Sequence, residues 1–185
     1  WDVALQLLGV RARSRSEMRE RLVRRGFSED EVETTMARLD KHALLDDEAF
    51  AREWVQSRGE HSRRGSVGLR HELRAKGIDD AVVAAVLTEV DPDDEYRRAS
   101  ELVSRKLASS TADLSDRSVR DSLTRRLSGM LLRRGFPSGL VRDVVDEQLR
   151  SSADRCRVDH LGARRRLSYH DHLRPCPPTG ADRRS

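Results

Sequence analysis

Three ten-residue stretches decide the fold: MRERLVRRGF from Met18 to Phe27, LRHELRAKGI from Leu69 to Ile78 and LSGMLLRRGF from Leu127 to Phe136. Counting back from each glycine, the eighth residue is Met18, Leu69 or Leu127 and the fourth is Leu22, Leu73 or Leu131. Positions four apart share a helical face, so each stretch predicts a helix with an apolar stripe. Gly26, Gly77 and Gly135 stop it, because the residue at C′ adopts the left-handed conformation and glycine does so without a Cβ clash. In a Schellman ending the next residue packs back on C3, which pairs Phe27 with Leu22, Ile78 with Leu73 and Phe136 with Leu131.

A second helix start follows each glycine. Ser28 and Glu31 form a capping box, with Phe27 stapling Val32 from N′ to N4. Asp79 serves as N-cap after the second copy, where Ile78 faces Val83. After the third, Pro137 occupies the cap slot, so Ser138 is the expected cap and the turn there is expected to differ. Val32, Val83 and Val141 come six residues after the glycines, and Met36, Leu87 and Val145 ten after. They are expected to line the inner face of the following helix.

Gly26 and Gly77 lie 51 residues apart, and Gly77 and Gly135 lie 58 apart. That is longer than a two-helix tetratricopeptide or ankyrin repeat needs, so each unit has room for a third helix. The first runs over Val3 to Val10. Ser14 then caps the second helix, with Glu17 completing a box, and Glu29 to Lys41 forms the third. The acidic first turn after Leu45, at Asp46-Asp47-Glu48, opens the second unit, and Phe50 and Trp54 form an apolar face. Arg58 to Gly68 reads as a Gly, Ser and Arg loop. Asp91-Pro92 ends that unit, a longer helix runs from Asp93 to Ala108, Ser115 caps the helix carrying the third copy, and Leu140 to Arg150 is the last helix. The predicted fold is all-α: three tandem three-helix repeats at 1–43, 44–91 and 92–150, followed by a disordered basic tail at 151–185.

High charge and few aromatics in 185 residues suit a row of small helical units better than one large core. The formal charge is +4, but residues 151–185 hold eight Arg and four Asp, so the repeat body is neutral. Any basic surface must come from segregating charge between faces. No apolar run reaches membrane-spanning length and no signal-peptide pattern occurs, so the expectation is a cytoplasmic protein without membrane contact. Because the chain starts at Trp1 with the first repeat close behind, a leading segment is expected to precede it.

Cys156, His160, His170, His172 and Cys176 lack the spacing of a zinc motif, so no metal site is assigned. Arg63 to Gly68 neither follows a strand nor contains a P-loop lysine, and no nucleophile and base share a plausible spacing. The chain is read as a non-enzyme without cofactor. Phe50 and Trp54 are read as core, not as base-stacking platforms.

The repeated Leu-x-x-x-Gly-[Phe/Ile] endings resemble the RecX family of bacterial recombination regulators. So do the stretch Leu45-Asp46-Asp47-x-x-Phe50-Ala51-x-x-Trp54-Val55 and the Arg- and Gly-rich segment leading into Glu72-Leu73-Arg74-Ala75-Lys76-Gly77-Ile78. The resemblance covers residues 3 to about 150. It implies three tandem three-helix units in an elongated, curved body. It also implies a monomer that binds the RecA nucleoprotein filament and restrains strand exchange, ATP hydrolysis and the co-protease role in the SOS response.

The basic residues beside the glycines have two readings. Arg24, Arg25, Lys76, Arg133 and Arg134 complement the negative ends of their helices, worth roughly 0.3 to 1 kcal/mol each. Alternatively they form, with Arg63, Arg64, Arg70, Arg74, Arg125 and Arg126, a basic stripe that meets RecA or DNA. The rival function is a helical repeat protein that binds single- or double-stranded DNA directly through phosphate contacts.

Overall fold

The computed structural model describes residues 1–110, 114 and 116–152. These residues form nine α-helices and no strand. They are α1 (Asp2–Val10), α2 (Arg15–Val23), α3 (Glu29–Lys41), α4 (Asp47–Ser62), α5 (Ser66–Ala75), α6 (Asp80–Thr88), α7 (Pro92–Ala108), α8 (Arg117–Arg133) and α9 over 138–152.

The apolar spacing sorts them into three separate cores. Met18, Leu22, Val32, Met36 and Leu39 fill the first, between α1, α2 and α3, which Leu45 also seals. Phe50, Leu69, Leu73, Ile78, Val83 and Leu87 fill the second, and Leu127, Leu131, Phe136, Val141, Val144 and Val145 the third. All six residues placed six and ten positions after the glycines are buried. Each large side chain so buried contributes about 1.5 to 3 kcal/mol.

The three glycine endings are the same turn. Gly26, Gly77 and Gly135 have φ of 86°, 71° and 81°. Phe27, Ile78 and Phe136 donate their N–H to Leu22, Leu73 and Leu131 at 3.4, 3.2 and 3.2 Å, and the glycine N–H groups reach Val23, Arg74 and Leu132 at 2.9 Å, completing Schellman motifs.

Four local expectations are corrected. The turn at Pro137 does not differ: α9 starts three residues after Gly135, as α3 and α6 start after Gly26 and Gly77. The Pro137 carbonyl, not Ser138, takes the cap role and accepts from Val141 N at 2.9 Å, which needs no N–H from proline. Ser14 caps α2 by accepting from Glu17 N, but the Glu17 carboxylate turns away to Arg11 and Lys76, so the box is only half formed. Asp116 caps α8, whereas Ser115 lies outside the described residues, as does the tail from 153 onward. The loop at 58–68 shrinks to 63–65 because α4 continues to Ser62. Arg58 hydrogen-bonds Ser62 Oγ at 2.7 Å and Gly59 is buried beneath the Arg98 guanidinium, contacts that outweigh the weak helix propensity of Gly and Ser.

Successive units meet where the glycine tip of one lies on the first turn of the second helix of the unit before it. At the first joint the Ser14 hydroxyl donates to the Lys76 carbonyl at 2.6 Å and Arg15 N donates to Asp47 Oδ1 at 2.9 Å. At the second, Gly65 N donates to the Arg134 carbonyl at 3.0 Å, Gly68 N to the Gly135 carbonyl at 3.1 Å, and Ser66 N to Glu95 Oε1 at 2.6 Å. The negative carboxyl end of one helix therefore faces the positive amino end of the next, with a carboxylate from the following unit added. Close approach is tightest at the second joint, where a Cβ on Gly135 would lie 2.2 Å from Gly68 N.

This contrast isolates the joint. Nothing lies within 4 Å of a Cβ built on Gly26. Gly26→Ala is expected to cost about 1 to 2 kcal/mol, the strain of a left-handed alanine. Gly135→Ala adds a backbone clash worth a further 1 to 3 kcal/mol or so. Urea unfolding measures both, and equal losses would show that the third tip is not held by its neighbour.

Candidate functional site

Charge is divided between helices. The second helix of each unit is basic, most of all α8, with five arginines against the single Asp121. The third helices are acidic, α3 carrying Glu29, Asp30, Glu31, Glu33 and Asp40 against Arg38 and Lys41. Because α2, α5 and α8 meet end to end through the joints, their outward faces form the candidate basic surface.

Several of the expected stripe residues are instead bound into structure. Lys76 pairs with Glu17 across the first joint and lies 4.8 Å over the Trp54 ring. Arg64 meets Glu72 at 2.8 Å and donates to the Arg133 carbonyl at 3.3 Å. Arg134 donates to the Ser62 carbonyl at 3.2 Å, and Arg63 faces Glu101 at 3.1 Å. Arg24 pairs with Glu20 at 2.5 Å and Arg74 with Asp80 at 2.6 Å. These two pairs are solvent-exposed and worth little.

Arg25, Arg70, Arg125, Arg126 and Arg133 carry side chains with no carboxylate or hydrogen-bond partner among the described residues. Sequence reasoning passed over Arg21, Arg117 and Arg120, which are exposed on the same helices and equally without a carboxylate. The signal that could have found them is membership of the second helix, not nearness to a glycine.

Trp54 is no free stacking platform. It stacks on Phe50 at 5.8 Å and its indole N–H donates to Glu72 Oε2 at 3.0 Å. Burial alone would raise the Glu72 carboxyl, but hydrogen bonds from Arg58 and Trp54 outweigh it and hold it below the ordinary carboxylate range. Glu17 is held lower still: burial opposes ionisation, and hydrogen bonds from Arg11 and Lys76 overcome it to bring the carboxyl to about 2.

Among the described residues no group of three His, Cys, Asp or Glu side chains is placed to hold a metal ion, and no helix is long and apolar enough to cross a membrane. The Cys156 to Cys176 set lies outside the described residues.

Comparison with known proteins places this architecture. Residues 1–39 match the model of the RecX first three-helix domain and residues 46–87 that of the second. The regulatory protein RecX of Mycolicibacterium smegmatis is 41% identical over 158 residues, covering 85% of this chain and 83% of that protein. The regulatory protein RecX of Mycobacterium avium is 40% identical, over 84% of this chain and 88% of that one. In fold, the crystal structure of RecX from Lactobacillus salivarius aligns with a TM-score of 0.66 at 20% identity, covering 80% of this chain and 92% of that chain.

Glu17 gives the first joint a pH dependence. Its folded pKa lies below its ordinary 4.5, so its stabilisation is complete above that value and is lost as pH falls towards about 2. Glu17→Gln is expected to lower stability at pH 7 by on the order of 1 to 3 kcal/mol, with the two proteins converging near pH 2. Thermal unfolding across that range checks it, and a difference independent of pH would remove Glu17 as the titrating tie.

Proposed function

The chain belongs to the RecX family of regulatory proteins, and from that membership we propose that it regulates the RecA recombinase. In this reading a single copy binds the RecA nucleoprotein filament and restrains strand exchange, ATP hydrolysis and co-protease activity in the SOS response. The observation that supports the contact surface is the set of unpaired arginines on α5 and α8, above all Arg70, Arg125 and Arg126. Guanidinium forks match carboxylates and phosphates, the two anionic groups a nucleoprotein presents. No carboxylate among the described residues pairs with them, so binding exchanges water and counterions for those groups without breaking an ion pair seen there.

The joints set how that surface is aligned. Lys76, Arg64 and Arg134 align the second helices, and the unpaired arginines meet the partner. Reversing charge at Arg70, Arg125 and Arg126 together is expected to weaken co-sedimentation with RecA filaments by about tenfold or more, roughly 1.4 kcal/mol. The melting temperature should stay near that of the parent. Undiminished binding by the triple variant would sink the assignment of this surface.

A further inference from the structure

A cleft of about 440 Å³ opens where α4, α7 and α8 meet, beside the second joint. Five basic side chains face it: His61 and Arg63 at the end of α4, Arg105 and Lys106 on α7, and Arg134 at the end of α8. Leu102 and Met130 supply apolar wall, and no carboxylate is among its described lining residues.

Its basic groups are only partly satisfied. Arg63 sits in the left-handed region at φ 49°, a conformation that disfavours a non-glycine residue. Its Nη1 stands 3.1 Å from Glu101 Oε2, at ion-pair distance, yet the nitrogen is buried with no hydrogen bond of acceptable geometry. Arg105 reaches only the Glu101 carbonyl at 3.4 Å, and the Lys106 ammonium has no partner among the described residues. Arg105 and Lys106 have no carboxylate partner among the described residues, and positive charge left uncompensated at a concave surface raises the local concentration of anions.

We propose that this cleft binds the phosphodiester backbone of a nucleic-acid strand laid across the joint between the second and third units. A lone carboxylate needs a single guanidinium fork. Three guanidinium groups and an ammonium drawn from three helices suit instead a ligand with successive charges, and the apolar wall suits a sugar or base edge. None of His61, Arg105 and Lys106 belongs to the surface assigned to the recombinase, so either assignment can fail without the other.

The test is fluorescence anisotropy of the whole chain with a labelled oligothymidylate and with a duplex of equal length, over a salt series without any recombinase. Arg105 and Lys106 are exposed, so reversing both to Glu leaves the cores untouched. The double variant is expected to bind on the order of tenfold more weakly. The slope of log affinity against log salt should also be shallower, by about 1.4 on the single strand for two phosphate contacts. A charge-matched control, Arg19→Glu with Lys41→Glu in the first unit, should change both far less. The oligonucleotide form that shows the loss identifies the form the cleft takes. Equal losses in both variants, or no loss in either, would overturn the proposal, as would displacement of the strand by polyglutamate at equal charge concentration.

Discussion

The carbonyl groups at the second and third glycine tips have to find donors, and they find them on the first turn of a helix in the preceding unit. That single contact orders the molecule. A helix ends with unpaired carbonyls and begins with unpaired N–H groups, and both are costly to bury alone. Joining the end of α5 to the start of α2, and the end of α8 to the start of α5, satisfies both together. Asp47 and Glu95, each from the first helix of the following unit, complete the caps at Arg15 N and Ser66 N. Each unit has a core too small to be robust by itself, so stability depends on nearest-neighbour contacts of this kind.

The two joints use different chemistry for the same geometry. The first relies on side chains: the Ser14 hydroxyl and the Glu17–Lys76 pair bridge α2 to the second tip. The second relies on backbone, since Gly65 and Gly68 bring α5 close enough for two direct N–H to carbonyl bonds. A side chain at Gly68 would place its Cβ 2.9 Å from the Arg134 carbonyl oxygen. Cations of the second helices thus serve two purposes. Lys76 and Arg134 at the tips hold the row together, while the exposed Arg125 and Arg126 and the half-buried Arg70 have no carboxylate partner among the described residues.

What the sequence made legible was local. Leucines at minus eight and minus four from a glycine fix both the helix and its Schellman ending, and the valines and larger apolar residues beyond it fix the third helix of each unit. The cores followed from those positions. Pro137 misled because its missing N–H looked like a lost cap, although the cap position there needs only the carbonyl. Gly59 misled because its helix propensity is poor, and its burial beneath Arg98 is a tertiary fact. The joints were hidden for the same reason: Ser14 and Lys76 are 62 residues apart, and no periodicity links them. Reading basic residues by their distance from a glycine therefore mixed joint residues such as Lys76 and Arg64 with free ones, and passed over Arg117 and Arg120.

In the proposed function an aligned row of second helices presents its unpaired arginines to a recombinase filament. The most direct test is RecA ATP hydrolysis on single-stranded DNA, titrated with the whole chain at fixed salt, beside a measurement of how much chain saturates the same DNA without RecA. Inhibition is expected well below that saturating concentration. Inhibition only once the bare DNA is covered, or none at all, would contradict it.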